Sequence, residues 1–225
     1  MKFPLPANRY RALPLVVGLF VFAAMTLILG EISEDLINHE PLTVADARLS
    51  MWLHTHNSHL WTTVLWIVTS LHSTAAVSCI AVVIGLYLIW RRRPYWLAAL
   101  WLSVFGGMLL NKLLKYGFHR ARPHFNDPIL TLTSYSFPSG HTMMATVLYG
   151  VLAAYVVAKT RNIYRRLLVV LTASFLIALV GFSRIYLGAH YLSDVLGAIA
   201  EGLAWLSLCL TAVYSVWQQR NEKAA

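Results

Sequence analysis

Six apolar runs, each near the length of a bilayer crossing, are separated by short charged stretches along this 225-residue chain. They lie at 13–30, 74–90, 95–113, 142–158, 167–186 and 195–217. A helix needs roughly 18–20 apolar residues to cross hydrocarbon. Hydrocarbon offers no partner for an unpaired N–H or C=O, so each run is expected to be helical. The expected fold is all-α: a polytopic membrane bundle of six transmembrane helices, residues 1–225 forming one domain. The stretch 60–90 is too long for a single perpendicular crossing. Its first half, with Trp61, Trp66 and His72, is expected to be an interfacial or re-entrant helix before the second span. Trp52 and Trp61 suit the boundary layer where indole rings concentrate. Only 12% of residues are charged, against about a quarter in soluble domains.

The net charge of +9 is distributed as a membrane protein distributes it. Lys2, Arg9 and Arg11 precede the first run, Arg91 to Arg93 follow the second, and Lys159, Arg161, Arg165 and Arg166 follow the fourth. Arg220 and Lys223 close the chain. With six spans all these clusters fall on one side, which the positive-inside rule makes cytoplasmic, both termini included. A nucleic-acid partner is not expected, because the cations form no stripe and no tail. On the opposite side the first loop carries Glu31, Glu34, Asp35, Glu40 and Asp46 against Arg48 alone. Yet Lys115, Arg120, Arg122 and Arg184 also fall there, against the rule, and need a reason. Cys79 and Cys209 sit in apolar runs, where a thiol behaves as a small hydrophobe. The first run is long for a signal-peptide core and is expected to remain as a span.

Three segments account for the misplaced cations. The first runs from Lys115 to Arg122-Pro123; helical continuation would put Lys115 and Arg122 on one face, two turns apart. Arg122 offers a planar fork for phosphate oxygens and Lys115 a point charge; a charge cluster ending a helix is the plainer alternative. The second is Ser136-Phe137-Pro138-Ser139-Gly140-His141 before the fourth run. Its proline would pre-set a first helical turn whose free N–H groups form an anion site. Ser139 adds a hydroxyl, Gly140 lets backbone approach a ligand, and His141 can carry a proton near neutral pH. A simple cap with an interfacial histidine reads the same residues. The third holds Ser183-Arg184, His190 and Asp194. Four residues after His190 at a helix start, Asp194 can take one ring nitrogen and leave the other as a nucleophile, though a capping aspartate would look similar. Taken together, the three deliver cations, two histidines and an oriented carboxylate to one membrane face, as phosphoryl transfer requires.

These segments resemble the type 2 phosphatidic acid phosphatase family, whose pattern is K-x6-RP, PSGH and SR-x5-H-x3-D. Every defined position matches, from Lys115 to Asp194. The resemblance implies a helical core shared with vanadium haloperoxidases and bacterial acid phosphatases. It implies a phosphohistidine on His190, protonation of the leaving oxygen by His141, and phosphate binding by Lys115, Arg122, Ser139, Gly140 and Arg184, with no metal or cofactor. The implied substrate is a lipid phosphate or pyrophosphate such as undecaprenyl pyrophosphate, phosphatidylglycerol phosphate or phosphatidic acid. The implied setting is a bacterial inner membrane with the site on its extracytoplasmic side. A phosphotransferase of the same family, a vanadate-dependent peroxidase and an anion transporter are the alternatives. Oligomeric state is not legible.

Elsewhere, His54, His56 and His59 fit no zinc template. Glu201 is an intramembrane carboxylate and so a functional candidate, or else a hydrogen-bond partner for a neighbouring helix. His119, Arg120 and His124 flank the first segment within reach of a substrate there, but spacing alone does not assign them a role. Gly106-Gly107 is expected to allow close helix packing.

Overall fold

The computed structural model describes residues 12–38, 41–130 and 132–223, and among these it contains helices and no strand. In chain order they are α1 (Leu13–Asn38), α2 (Pro41–Thr55), α3 (His59–Leu71), α4 (Thr74–Trp90), α5 (Pro94–Trp101), α6 (Gly107–Phe118), α7 (Gly140–Lys159), α8 (Ile163–Tyr186) and α9 (Leu192–Lys223). A π-helical segment, Leu102–Gly106, joins α5 to α6, and Pro94–Phe118 thereby runs as one span. That span and α1, α7, α8 and α9 are each long and apolar enough to cross a bilayer; α3 with α4, bent by 47°, passes the same test only as a pair, as a broken span or a re-entrant loop. The interfacial or re-entrant helix expected before the second span is α3, which bends by 47° into α4. Ser58, Ser73 and Asn162 cap α3, α4 and α8 by accepting from the N–H of Trp61, Ala76 and Arg165, which satisfies otherwise orphaned donors.

The helices outrun the apolar runs. Glu31, Glu34 and Asp35 lie on the last turns of α1, not in a loop, and Asp46 lies within α2. Hydropathy marks the thickness of hydrocarbon, whereas a helix continues as long as its backbone bonds are worth keeping. Lys2, Arg9, Arg11 and Glu40, used above for orientation, lie outside the described residues.

α7 is the central helix, packed against α8, α9 and α4. Val77, Ala81, Val104, Met143, Val147 and Ala198 form its apolar surroundings. The outer faces expose Phe20, Leu27, Val83, Leu86, Leu168 and Phe175, a surface that water would not tolerate and lipid solvates. Gly106 and Gly107 do serve packing: a Cβ on Gly106 would stand 2.6 Å from the Trp205 ring. The Trp205 indole donates to Leu102 O (3.0 Å) where the helical ladder widens, an insertion that accounts for the π turn.

α6 and α8 end, and α7 and α9 begin, at the same end of the bundle, so all three motif segments meet there. α2 packs on α8 and α9 at this end. Arg91 to Arg93 and the Lys159–Ile163 connection belong to the other end.

Candidate active site

The 119–139 connection departs from the helical continuation expected above. His119 closes α6 in the left-handed conformation (φ 49°), so Arg122 reaches the site from a loop and not from one face shared with Lys115. The two cations instead hold the same strip of backbone. Lys115 Nζ donates to Tyr135 O (2.8 Å) and Ser136 O (3.1 Å). Arg122 donates from Nε to Ser134 O (2.6 Å) and from Nη2 to Ser134 Oγ (2.9 Å) and Tyr135 O (3.2 Å). Its Nη1 donates to Ala189 O (2.5 Å) and stands 3.2 Å from His190 Nε2.

His190 sits in the turn between α8 and α9, buried to 2% exposure. The turn is fixed by Gly188, whose φ of +66° suits glycine, and a Cβ there would press on Phe125 at 2.8 Å. Nδ1 of His190 lies 3.3 Å from Asp194 Oδ2 and 3.4 Å from Ser136 Oγ. The hydrogen-bond network thus assigns the proton to Nδ1 and leaves the Nε2 lone pair facing the Arg122 guanidinium. Burial pushes the imidazole down to about 3, with Asp194 opposing and Arg122 and Arg184 reinforcing; the ring is neutral at physiological pH. Burial also lowers Arg122, against the pull of Asp194.

Asp194 receives more than His190. Its Oδ2 accepts from Ser136 Oγ and from the Tyr191 N–H (2.9 Å), and its Oδ1 from Arg120 Nη1 (2.5 Å). Ser136, Arg120 and Asp46 are the members of the site to which the sequence assigned no role. Arg120 looked like one more loop cation, although a charge on the translocated side was itself a signal. Asp46 shares the buried face of α2 with Ser50 and Leu53, at the spacing of one helical stripe.

The remaining candidates take different places. Pro138 and Ser139 precede α7, which begins at Gly140, so the proline stands before the first turn and not within it. Met143 N–H donates to Ser139 O (3.0 Å) as the first intrahelical bond, leaving the N–H groups of Gly140, His141 and Thr142 without intrahelical partners. Ser139 is buried, its hydroxyl 3.0 Å from Thr142 Oγ1 and its N–H donating to Asp194 O. His141 is partly exposed on the first turn of α7. Arg184, 3% exposed, donates from Nη1 to Thr69 Oγ1 (2.7 Å) on α3, and its buried Nε has no partner among the described residues. Glu201 accepts from Asn111 Nδ2 on α6 (2.8 Å), the interhelical bond that was one of its two readings. His119 meets the Tyr135 ring edge-on and His124 is exposed. His54 stacks on Phe125 and bonds Asp127 (3.0 Å), whereas His56 stacks on Trp52.

Residues 96–218 match the family described as the PAP2 superfamily, a stretch that contains every residue of the three segments. The chain belongs to the PAP2 superfamily. Phosphatidylglycerophosphatase B of Bacillus subtilis is 38% identical over 138 residues, 60% of this chain and 67% of that protein. Lipid A 1-phosphatase of Rhizobium etli is 37% identical over 121 residues, half of this chain and 47% of that protein. The fold is similar to the crystal structure of a transmembrane PAP2 type phosphatidylglycerolphosphate phosphatase from Bacillus subtilis. The TM-score is 0.76 at 27% identity, covering 92% of this chain and 98% of that one. The PAP2 membership and this likeness bear out the all-α membrane fold and the phosphatase class expected from the three segments.

Proposed function

We propose that this integral membrane enzyme hydrolyses a lipid phosphate or pyrophosphate through a phosphohistidine on His190, at the extracytoplasmic face of a bacterial inner membrane. Membership in the PAP2 superfamily and the phosphatase names of its relatives support the lipid phosphatase class. One observation carries the mechanism: the Nε2 lone pair of a buried, neutral His190 faces a cluster of cations, 3.2 Å from Arg122 Nη1. Lys115, Arg122 and Arg184 would hold the non-bridging phosphoryl oxygens, with the free N–H groups at the start of α7 completing the anion site. Nε2 attacks phosphorus, and the bond to the lipid oxygen breaks. His141 gives that oxygen a proton, and the lipid alcohol or monophosphate leaves. His141 then takes a proton from water, whose oxygen attacks the phosphohistidine; inorganic phosphate departs and His190 is restored. Likeness to a phosphatidylglycerophosphatase makes phosphatidylglycerol phosphate a substrate to test, and the motif pattern adds phosphatidic acid and undecaprenyl pyrophosphate to the panel.

Purified protein is expected to release inorganic phosphate from members of that panel with EDTA present and acceptor lipids omitted. Vanadate, which mimics the trigonal transferring group, is expected to compete with substrate. Activity lost to EDTA and restored by magnesium would refute the metal-free route, and release only with an acceptor lipid would make the enzyme a phosphotransferase.

The orientation rests on charge. Arg91 to Arg93, Lys159, Arg161, Arg165, Arg166, Arg220 and Lys223 gather at the end of the bundle away from the site. That end is cytoplasmic by the positive-inside rule, both termini included. Asn126 is exposed in the 119–139 connection. A cysteine in its place, with Cys79 and Cys209 replaced, is expected to react with an impermeant thiol reagent in intact cells. Labelling only after permeabilisation would invert the topology.

A further inference from the structure

Asp194 is held from behind by groups that never reach the phosphoryl site. Arg120 bridges two carboxylates: Nη1 donates to Asp194 Oδ1 (2.5 Å) and to Ser193 Oγ (2.7 Å), and Nη2 donates to Asp46 Oδ2 (2.8 Å). Asp46, 1% exposed on α2, also accepts from the Ser193 N–H (3.0 Å) and from the Ser193 hydroxyl. The Arg120 guanidinium lies 4.4 Å over the Tyr191 ring. A plain structural ion pair would need one carboxylate; this one arginine is shared between two, on separate elements, and the second carboxylate orients His190.

We infer that Arg120 and Asp46 are positioning residues for phosphoryl transfer, forming a relay Asp46–Arg120–Asp194–His190 that ties the seat of α2 to the aim and basicity of the nucleophile. This rests on the phosphohistidine reading above. When Nε2 bonds phosphorus, the imidazole gains positive charge. Counted as ions, Asp46, Arg120 and Asp194 sum to one negative charge beside it, which compensates that gain. Arg120 alone would neutralise Asp194 and weaken its hold on Nδ1–H; Asp46 restores a net negative charge. The other groups facing Asp194 are Ser136 and Arg122 from the 119–139 connection, Tyr191, and Lys115 of α6, while Arg184 of α8 acts on His190. All of these remain in place when Asp46 or Arg120 is replaced, so the relay can be tested separately.

The test is a mutant cycle read by rapid quench with radiolabelled phosphatidic acid in detergent, measuring formation of a base-stable, acid-labile phosphoenzyme. Arg120→Gln and Asp46→Asn are each expected to slow that step by about 10–100-fold, with KM changed less than about threefold because neither residue touches substrate. In an Asp194→Asn background the same replacements are expected to cost less than about threefold more, since the relay is already cut. Should Arg120→Gln fail to accumulate, Arg120→Lys carries the same cycle, keeping the charge and losing the fork. Effects that multiply fully with Asp194→Asn, or that fall on KM alone, would reduce Arg120 and Asp46 to fold-holding residues and overturn the relay. A wild-type enzyme that turns over without any phosphohistidine would overturn the underlying reading, and the relay with it.

Discussion

His190→Ala is expected to lower turnover on the order of 10⁴-fold or more, the scale seen when a covalent nucleophile is removed, and to abolish the phosphoenzyme. The geometry leaves no substitute. Nδ1 is committed to Asp194, and Nε2 faces Arg122 from a buried ring. His141 is the other imidazole near the cations, and it belongs to the first turn of α7, not to the His190–Asp194 network. Its proposed task is proton transfer, so its importance must follow the leaving group's need for a proton. His141→Ala should therefore lose most activity on a lipid alkyl phosphate and keep a larger fraction on an activated aryl phosphate. With water no longer activated, the phosphohistidine should then accumulate. Because burial holds His190 far below the usual imidazole range, protonation of the nucleophile silences it only in strong acid. An acid limb near neutral pH would therefore have to come from another group. Label recovered on His141, or full activity in His190→Ala, would reject the two assignments.

The parts of this molecule that were legible from sequence are the parts encoded by local repetition or fixed spacing. Apolar runs gave the spans because hydrocarbon forces every crossing backbone into a helix, and the α3–α4 break followed from a run too long for one crossing. The His190–Asp194 contact followed from a four-residue spacing, although His190 sits in the turn just before α9. Misreadings arose where the chain left its period. Seven-residue spacing puts Lys115 and Arg122 on a common helical face, but the left-handed His119 ends α6 between them. The cations converge through the carbonyls of Ser134, Tyr135 and Ser136, which no spacing rule describes. In the sequence Asp46 reads as part of an acidic loop, because its partners Arg120 and Ser193 lie 74 and 147 positions away. Long-range polar pairs of this kind leave no periodic trace, only an anomaly: a charge on a buried stripe or on the wrong side of the membrane.

Arg184→Ala is expected to cut the rate about 10²–10³-fold, the usual cost of losing one preorganised donor to transition-state charge. Arg184 offers a cleaner measurement than Arg122, whose five hydrogen bonds within the site also shape the 119–139 connection. By contrast Arg184 spends Nη1 on Thr69 and keeps a buried Nε without a partner among the described residues. A buried donor without a partner costs about 1–3 kcal/mol, a penalty that phosphoryl oxygen would relieve on binding. The loss should appear with alkyl and aryl phosphates alike, because charge on the transferring group does not depend on what leaves. That pattern separates it from His141→Ala. Lysine at 184 should rescue poorly, since its point charge cannot hold Thr69 and an oxygen in one plane. Thr69→Ala should fall between wild type and Arg184→Ala, having freed the guanidinium without removing it. Vanadate affinity is expected to drop in parallel with the rate across the three variants. An Arg184→Ala enzyme within threefold of wild type, with vanadate binding intact, would remove this arginine from the phosphate site.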